Sequence, residues 1–232
     1  MVVRELGEST SAQLSGVMPT LVVPVGSTEQ HGPHLPLDTD TRIATAVGRR
    51  VAGDLDHVLA PAIPYGASGE HQGFAGTVSI GTAVLTAVLV EYGRSAFEWA
   101  ARVVFVNGHG GNVEALRSAT TTLRTEGRDA VWISSSPQRG DAHAGHTETS
   151  LLLHISPQAV RAESWVPGNT EPLADLMPLL RRGGVAAVSG SGVLGDPTTA
   201  SAQAGARIFA GVVDDCVRRV RQWAPGGDGM LG

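Results

Sequence analysis

The sequence predicts an α/β protein, a three-layer α/β/α sandwich with a mostly parallel sheet. Two patterns carry this reading. Short apolar runs alternate with longer stretches of helical periodicity, and the segments between successive runs are long enough for βαβ units. In addition, Arg102 to Asn107 places Val103-Val104-Phe105-Val106 in one uninterrupted run rich in β-branched residues, as expected of a strand buried on both faces.

The elements follow in order. Residues 1–19 read as a lead-in with a helical turn around Ser11 to Leu14. Leu21 to Val25 is a short buried strand ending at Gly26. Thr41 to Leu55 repeats Ile43, Val47 and Val51 at four-residue spacing, an amphipathic helix. A second apolar run, His57 to Ile63, closes at Pro64-Tyr65-Gly66, and the polar, glycine-rich stretch 67–77 reads as a long loop of the kind that carries function. Ile80 to Arg102 has helical spacing through Val84, Val88, Tyr92 and Trp99, with Thr82 as a cap. After the central strand comes Gly108 to Asn112, then a helix through Arg124 and a strand over Ala130 to Ser134. A Ser/Pro/Gly/Asp loop then leads to His143, and Leu151 to His154 continues a short helix. Residues 157–197, broken by Gly183-Gly184 and Ser189 to Gly192, read as a covering segment, and Thr198 to Trp223 as a long final helix.

Composition limits the function. At 232 residues the chain is most economically one domain, 1–232, with a glycine-rich tail, 225–232, expected to be disordered. Aromatic residues are only 4%, so the core must be built mainly of Val, Leu, Ala and Ile. A net charge of −5 without a basic block argues against nucleic acid or an anionic membrane as partner. The single cysteine, Cys216, excludes an intrachain disulfide framework and a cysteine-rich zinc site. No secretory pattern and no apolar run of membrane-spanning length is visible, so a cytoplasmic location is expected.

The chemistry concentrates in loops after predicted strands, where parallel sheets bind ligands. Glu29 and His31 point to the same side if the segment is extended, and Asp40 follows just before a helix. Such segments are often only solvated loops, and either Asp38 or Asp40 could serve simply as a helix cap. His109 sits in Asn107-Gly108-His109-Gly110-Gly111-Asn112, which lacks the lysine and spacing of a phosphate loop. A third group, His143-Ala144-Gly145-His146-Thr147-Glu148, lies in a later loop. Mixed carboxylate and imidazole donors suit a divalent cation and accommodate zinc, iron or manganese.

Val25 to Pro36, Asp40, Asn107 to Asn112 and His143 to Ser150, with Gly195-Asp196-Pro197, together resemble the creatininase family of metal-dependent amidohydrolases over roughly residues 20–215. Within it, the chain looks most like a peptidase that trims a modified precursor peptide near its C-terminus. The resemblance implies two divalent ions per subunit, zinc first, with iron(II) or manganese(II) as alternatives. Asp40 would bridge them, Glu29 and His109 would complete one site, and His31 with a second carboxylate the other. Creatininase carries a glutamate two positions after the motif histidine, where this chain has Gly111, and Glu148 is expected to replace it. His143 matches the family's candidate catalytic histidine, with His146 as its competitor for the proton-transfer role. Substrate contacts are expected from Glu70, His71, Gly110 and Trp165.

The chemistry stands without the resemblance. Two cations about 3.5 Å apart lower the pKa of a shared water toward neutrality, and a histidine can hand a proton to the leaving nitrogen. No hydroxyl nucleophile is needed, and Ser27 and Ser134 to Ser136 read as loop residues. The expected substrate is a peptide or small amide. A cyclic amide such as creatinine, or a formamide, is the rival; it would call for a tight aromatic lid, for which Trp165 is the local candidate. A rival of another class is a metal-stabilised assembly protein without turnover. A closed homo-oligomer is expected from the family resemblance and the glycine-rich loops.

Overall fold

The computed structural model describes residues 3–137 and 140–232. Its centre is a five-stranded sheet, all parallel, in the order β1-β3-β2-β4-β5. The strands are β1 (Arg4–Glu5), β2 (Thr20–Val25), β3 (Val58–Leu59), β4 (Arg102–Asn107) and β5 (Ala130–Ser134). β2 and β4 pair in register from Thr20 against Arg102 to Val25 against Asn107. Val103 to Val106 are all fully buried, because alternate side chains enter opposite layers.

The helices are α1 (Ser11–Leu14), α2 (Thr39–Leu55), α3 (Gly81–Ala96), α4 (Val113–Thr125), α5 (His146–Ile155), α6 (Leu173–Gly183) and α7 (Ala202–Gln222). One core joins Val22, Val104 and Ile133 to Val47 and Val51 of α2, Leu152 of α5 and Val212 of α7. The other joins Val23, Phe105 and Trp132 to Leu89 of α3 and Leu116 and Leu123 of α4. The sheet is therefore covered on both faces, as the pattern of apolar runs predicts.

Several expectations change. β1 is absent from the sequence reading, being a two-residue edge strand. α3 stops at Ala96, where turns at Phe97 to Ala100 reverse the chain before β4. α5 begins at His146, so that Glu148, read as part of a loop, lies in its first turn. The final helix begins at Ala202, with Ser201 accepting the Ala204 amide as its cap. Residues 157–197 contain a genuine helix, α6, although Pro178 lies inside it. Residues 138 and 139 of the loop after β5, and residues 1 and 2 of the lead-in, lie outside the described residues.

The tail is not disordered. The Leu231 amide donates to the Trp132 carbonyl at 3.0 Å, Met230 bridges Trp132, and Leu231 is fully buried. Trp132 Nε1 and Thr120 Oγ1 both donate to the Asp228 carbonyl. Glycine-rich composition suggested a loose end, but Gly229 provides the left-handed turn (φ 76°) that brings the last residues onto the edge of β5.

Candidate metal centre

Four loops meet beyond the carboxyl ends of the strands. The segment after β2 brings Glu29 and His31 inward, both completely buried. Asp40 comes from the first turn of α2, which approaches the exit of β4 closely. A Cβ on Gly108 would lie 2.4 Å from the Asp40 backbone oxygen, so glycine is required there. Asp40 Oδ1 then lies 3.1 Å from His31 Nε2, and Oδ2 lies 3.2 Å from His109 Nδ1. The buried Ser27 Oγ donates to Asp40 Oδ2 at 2.6 Å.

The two asparagines of the His109 motif fix the loops to one another. Asn107 Oδ1 accepts the His109 amide, and its Nδ2 donates to the His109 carbonyl. Asn112 donates to the Gly26 carbonyl and accepts the Ala67 amide, both at 2.9 Å. This ties the loops after β2, β3 and β4 around one point.

The loop after β3 contributes more than the sequence suggested. His71, expected to contact substrate or solvent, is buried with Nε2 3.2 Å from Glu29 Oε1. Glu70 stands at the rim, its Oε1 3.4 Å from His109 Nε2. Gln30 was not singled out by sequence; its amide nitrogen lies 2.9 Å from His71 Nδ1 and donates to the Gly192 carbonyl.

His143 is held by its backbone. Its amide donates to the Leu194 carbonyl and its carbonyl accepts the Leu194 amide. Its Nε2 donates to the Gln30 carbonyl at 2.8 Å, which leaves Nδ1 as the free nitrogen in the neutral ring. That nitrogen lies 3.9 Å from Glu29 Oε1 and 4.0 Å from Glu148 Oε2. Ala144 then takes a left-handed conformation (φ 52°) and donates its amide to Glu148 Oε2 at 2.6 Å. Such backbone strain in a non-glycine residue collects at functional sites. Glu148 is 3.8 Å from His31 Nε2. His146 bonds Thr199 Oγ1 instead and does not line the cavity.

Three sets of donor atoms each fall within 4.8 Å of one another: Glu29, His71 and His143; His31, His143 and Glu148; and Glu29, His31 and Asp40. In the protein alone these groups are electrostatically strained. Burial, with Asp40 adding repulsion, pushes the Glu29 carboxyl up to about 7. Burial pushes Glu148 up to about 7 as well. Burial disfavours the His31 cation, yet Asp40 and the other carboxylates outweigh it and raise His31 to about 10. Burial, reinforced by His31 and His71, holds His143 well below the ordinary imidazole range.

The donor set fits a cation. Both Glu29 oxygens are buried without a hydrogen-bond partner, although His71 and His109 nitrogens each stand 3.2 Å away. A buried carboxylate left unpaired is costly, and a shared positive ion satisfies it and the facing imidazoles together. The cluster forms the floor of a cavity of about 640 Å³. Ile43, Leu151, Leu173, Met177, Leu180 and Leu194 give it an apolar wall, and Gly110 lines it too. Trp165 does not. The chain around it runs past His34, whose carbonyl accepts the Arg161 amide, and α6 supplies the wall instead. Among the described residues no Trp, Tyr or Phe lines the cavity.

A buried carboxylate–imidazole cluster at the carboxyl edge of a parallel sheet, opening on such a cavity, places the protein among the α/β metallohydrolases. The chain belongs to the creatininase family, whose model, described as creatinine amidohydrolase, matches residues 7–220. The mycofactocin precursor peptide peptidase of Mycobacterium ulcerans (strain Agy99) is 65% identical over 239 residues, which cover 99% of this chain and 96% of the relative. The creatinine amidohydrolase of Pseudomonas putida is 30% identical over 237 residues, covering 88% and 90%. Solved structures of a zinc–zinc form of a creatininase mutant and of a manganese form of creatininase match with TM-scores of 0.79 and 0.78. Each is 28% identical and covers 97% of this chain and 100% of its own.

Proposed function

We propose that this protein is a dinuclear metal-dependent peptidase that hydrolyses a C–N bond of the mycofactocin precursor peptide near its C-terminus. The observation that carries the reading is the buried Glu29 carboxylate, faced by two imidazoles yet without a hydrogen bond, in a donor cluster that opens on a cavity with an apolar wall. Structural metal sites are closed, so this opening also speaks against a non-catalytic assembly role. The peptide substrate is supported by the mycobacterial relative, which is far more similar than the creatinine hydrolase. A cyclic substrate lacks the expected aromatic lid, since Trp165 lies away from the cavity.

Glu29 and His109 would hold one ion, His31 and Glu148 the other, with Asp40 between them. When bound, two divalent cations polarise a scissile carbonyl and lower the pKa of water. Zinc suits the mixed donors best, with iron(II) or manganese(II) as alternatives. Nδ1 of His143, left free because Nε2 is committed to the Gln30 carbonyl, takes a proton from the attacking water and returns it to the leaving nitrogen. A Cβ at Gly110 would meet nothing within 4 Å, which leaves open space for substrate beside His109. The walls from α5 and α6 hold the peptide and exclude bulk water.

Mass spectrometry of the modified precursor peptide, incubated with metal-loaded protein, tests this. Two fragments whose masses sum to the peptide plus one water are expected. Turnover of creatinine with the peptide left intact would overturn the peptidase reading.

A further inference from the structure

Gly111 stands beside His109 and carries no side chain. A Cβ built on Gly111 would stand 2.2 Å from the Ala67 carbonyl oxygen, 2.5 Å from His109 Nε2 and 2.9 Å from Glu70 Oε1. The space that a side chain at 111 would enter is therefore already taken, and one of its occupants is a carboxylate from another loop.

Glu70 reaches this place from the turn Gly69–His71 in the loop after β3. Its Oε1 lies 3.4 Å from His109 Nε2 and 3.9 Å from His71 Nε2. Among the described residues its ion-pair partners are these two imidazoles and no arginine or lysine. The turn is braced on both sides. Ser79 Oγ accepts the Ser68 amide at 2.9 Å, and the C-terminus of α6 presses on it so closely that a Cβ at Gly184 would lie 2.5 Å from the Glu70 carbonyl. Glu148 occupies the opposite end, where its imidazole neighbours are His31 and His143. Each end of the cluster thus has its own carboxylate in addition to Glu29 and Asp40.

We propose that Glu70 completes the donor set at the His109 end of the centre, in the space that Gly111 leaves without a side chain, and serves a divalent cation of the zinc or manganese type. This rests on the dinuclear reading above. Glu148 then supplies the second carboxylate at the His31 end. Glu70 from one loop and His109 and Gly111 from another form one unit: a carboxylate, the imidazole it faces, and the glycine that makes room for it.

The test measures zinc stoichiometry and stepwise affinity by elemental analysis and competition with a chromogenic chelator. It compares wild type, Glu70→Gln, Glu70→Asp, Glu148→Gln and the double variant Glu70→Gln/Glu148→Gln. Wild type should bind two ions. Each single Gln variant should weaken one of them by about tenfold or more, and the double variant should weaken both. Glu70 is partly exposed, so the Gln variant should fold. Glu70→Asp, which withdraws the carboxylate by one methylene, should show the same selective loss and serves if Glu70→Gln does not fold. Two ions bound by Glu70→Gln at wild-type affinity would overturn the inference and leave the dinuclear reading intact. So would a double variant that still holds one ion tightly. Fewer than two ions in wild type would overturn the dinuclear reading, and the inference with it.

Discussion

Ser27 has no place among metal-ligand residue types, yet its hydroxyl donates at 2.6 Å to Asp40, the carboxylate proposed to lie between the two ions. Both groups are buried, so no water replaces the bond if it is removed. Ser27→Ala should lower metal affinity by about 10–100-fold while leaving the fold intact, as losses of ligand-orienting partners do. Chelator competition alongside circular dichroism reads both effects. Asp40→Asn should go further, because one residue faces both His31 and His109. Most metal and all activity should be lost, and a metal content equal to wild type would remove Asp40 from its bridging position. His143→Ala should keep both ions and turn over about 10²–10⁴-fold more slowly. Metal loss in that variant would make His143 a ligand, which its neighbourhood with Glu29 and Glu148 makes a direct alternative. Glu29, His31 and Asp40 could be singled out in the sequence because they crowd into twelve residues, and His109 because it sits in a glycine-rich turn after a buried strand. Ser27 and Gln30 could not, and His71 was expected only as a substrate contact. Their partners come from other loops, and only the folded chain shows that Gln30 touches the segments around His71, His143 and Gly192.

At the scale of elements, β2, β4, β5 and the amphipathic helices were readable because buried runs and four-residue spacing are local signals. β1 is too short for any periodicity, and α6 is disguised by Pro178 and by the glycines that follow it. The tail misled for a different reason. Its composition is that of a flexible end, whereas its stability comes from tertiary bonds to Trp132 and Thr120 that a local reading cannot contain. Leu231 is fully buried against the core that holds Ile133 and Val220. Leu231→Ala should therefore cost about 2–5 kcal/mol of stability. Denaturant unfolding with an unchanged midpoint would mean that the tail is not held in solution.

The whole molecule explains why motifs some eighty residues apart act together. In a parallel sheet every strand points the same way, so the loops after β2, β3, β4 and β5 must emerge at one edge. That edge was legible from the order of elements, whereas the pairing of donors across it was set by close packing at Gly108 and Gly111. The same convergence concentrates Glu29, Asp40, Glu70 and Glu148 around four imidazoles, an arrangement that a bound cation relieves. The most direct measurement is cleavage of the modified precursor peptide by chelator-stripped protein, before and after titration with zinc, iron(II) or manganese(II). Stripped protein should be inactive, and activity should return with at least one of these metals as two equivalents bind. Undiminished cleavage by protein shown to contain no metal would contradict the account.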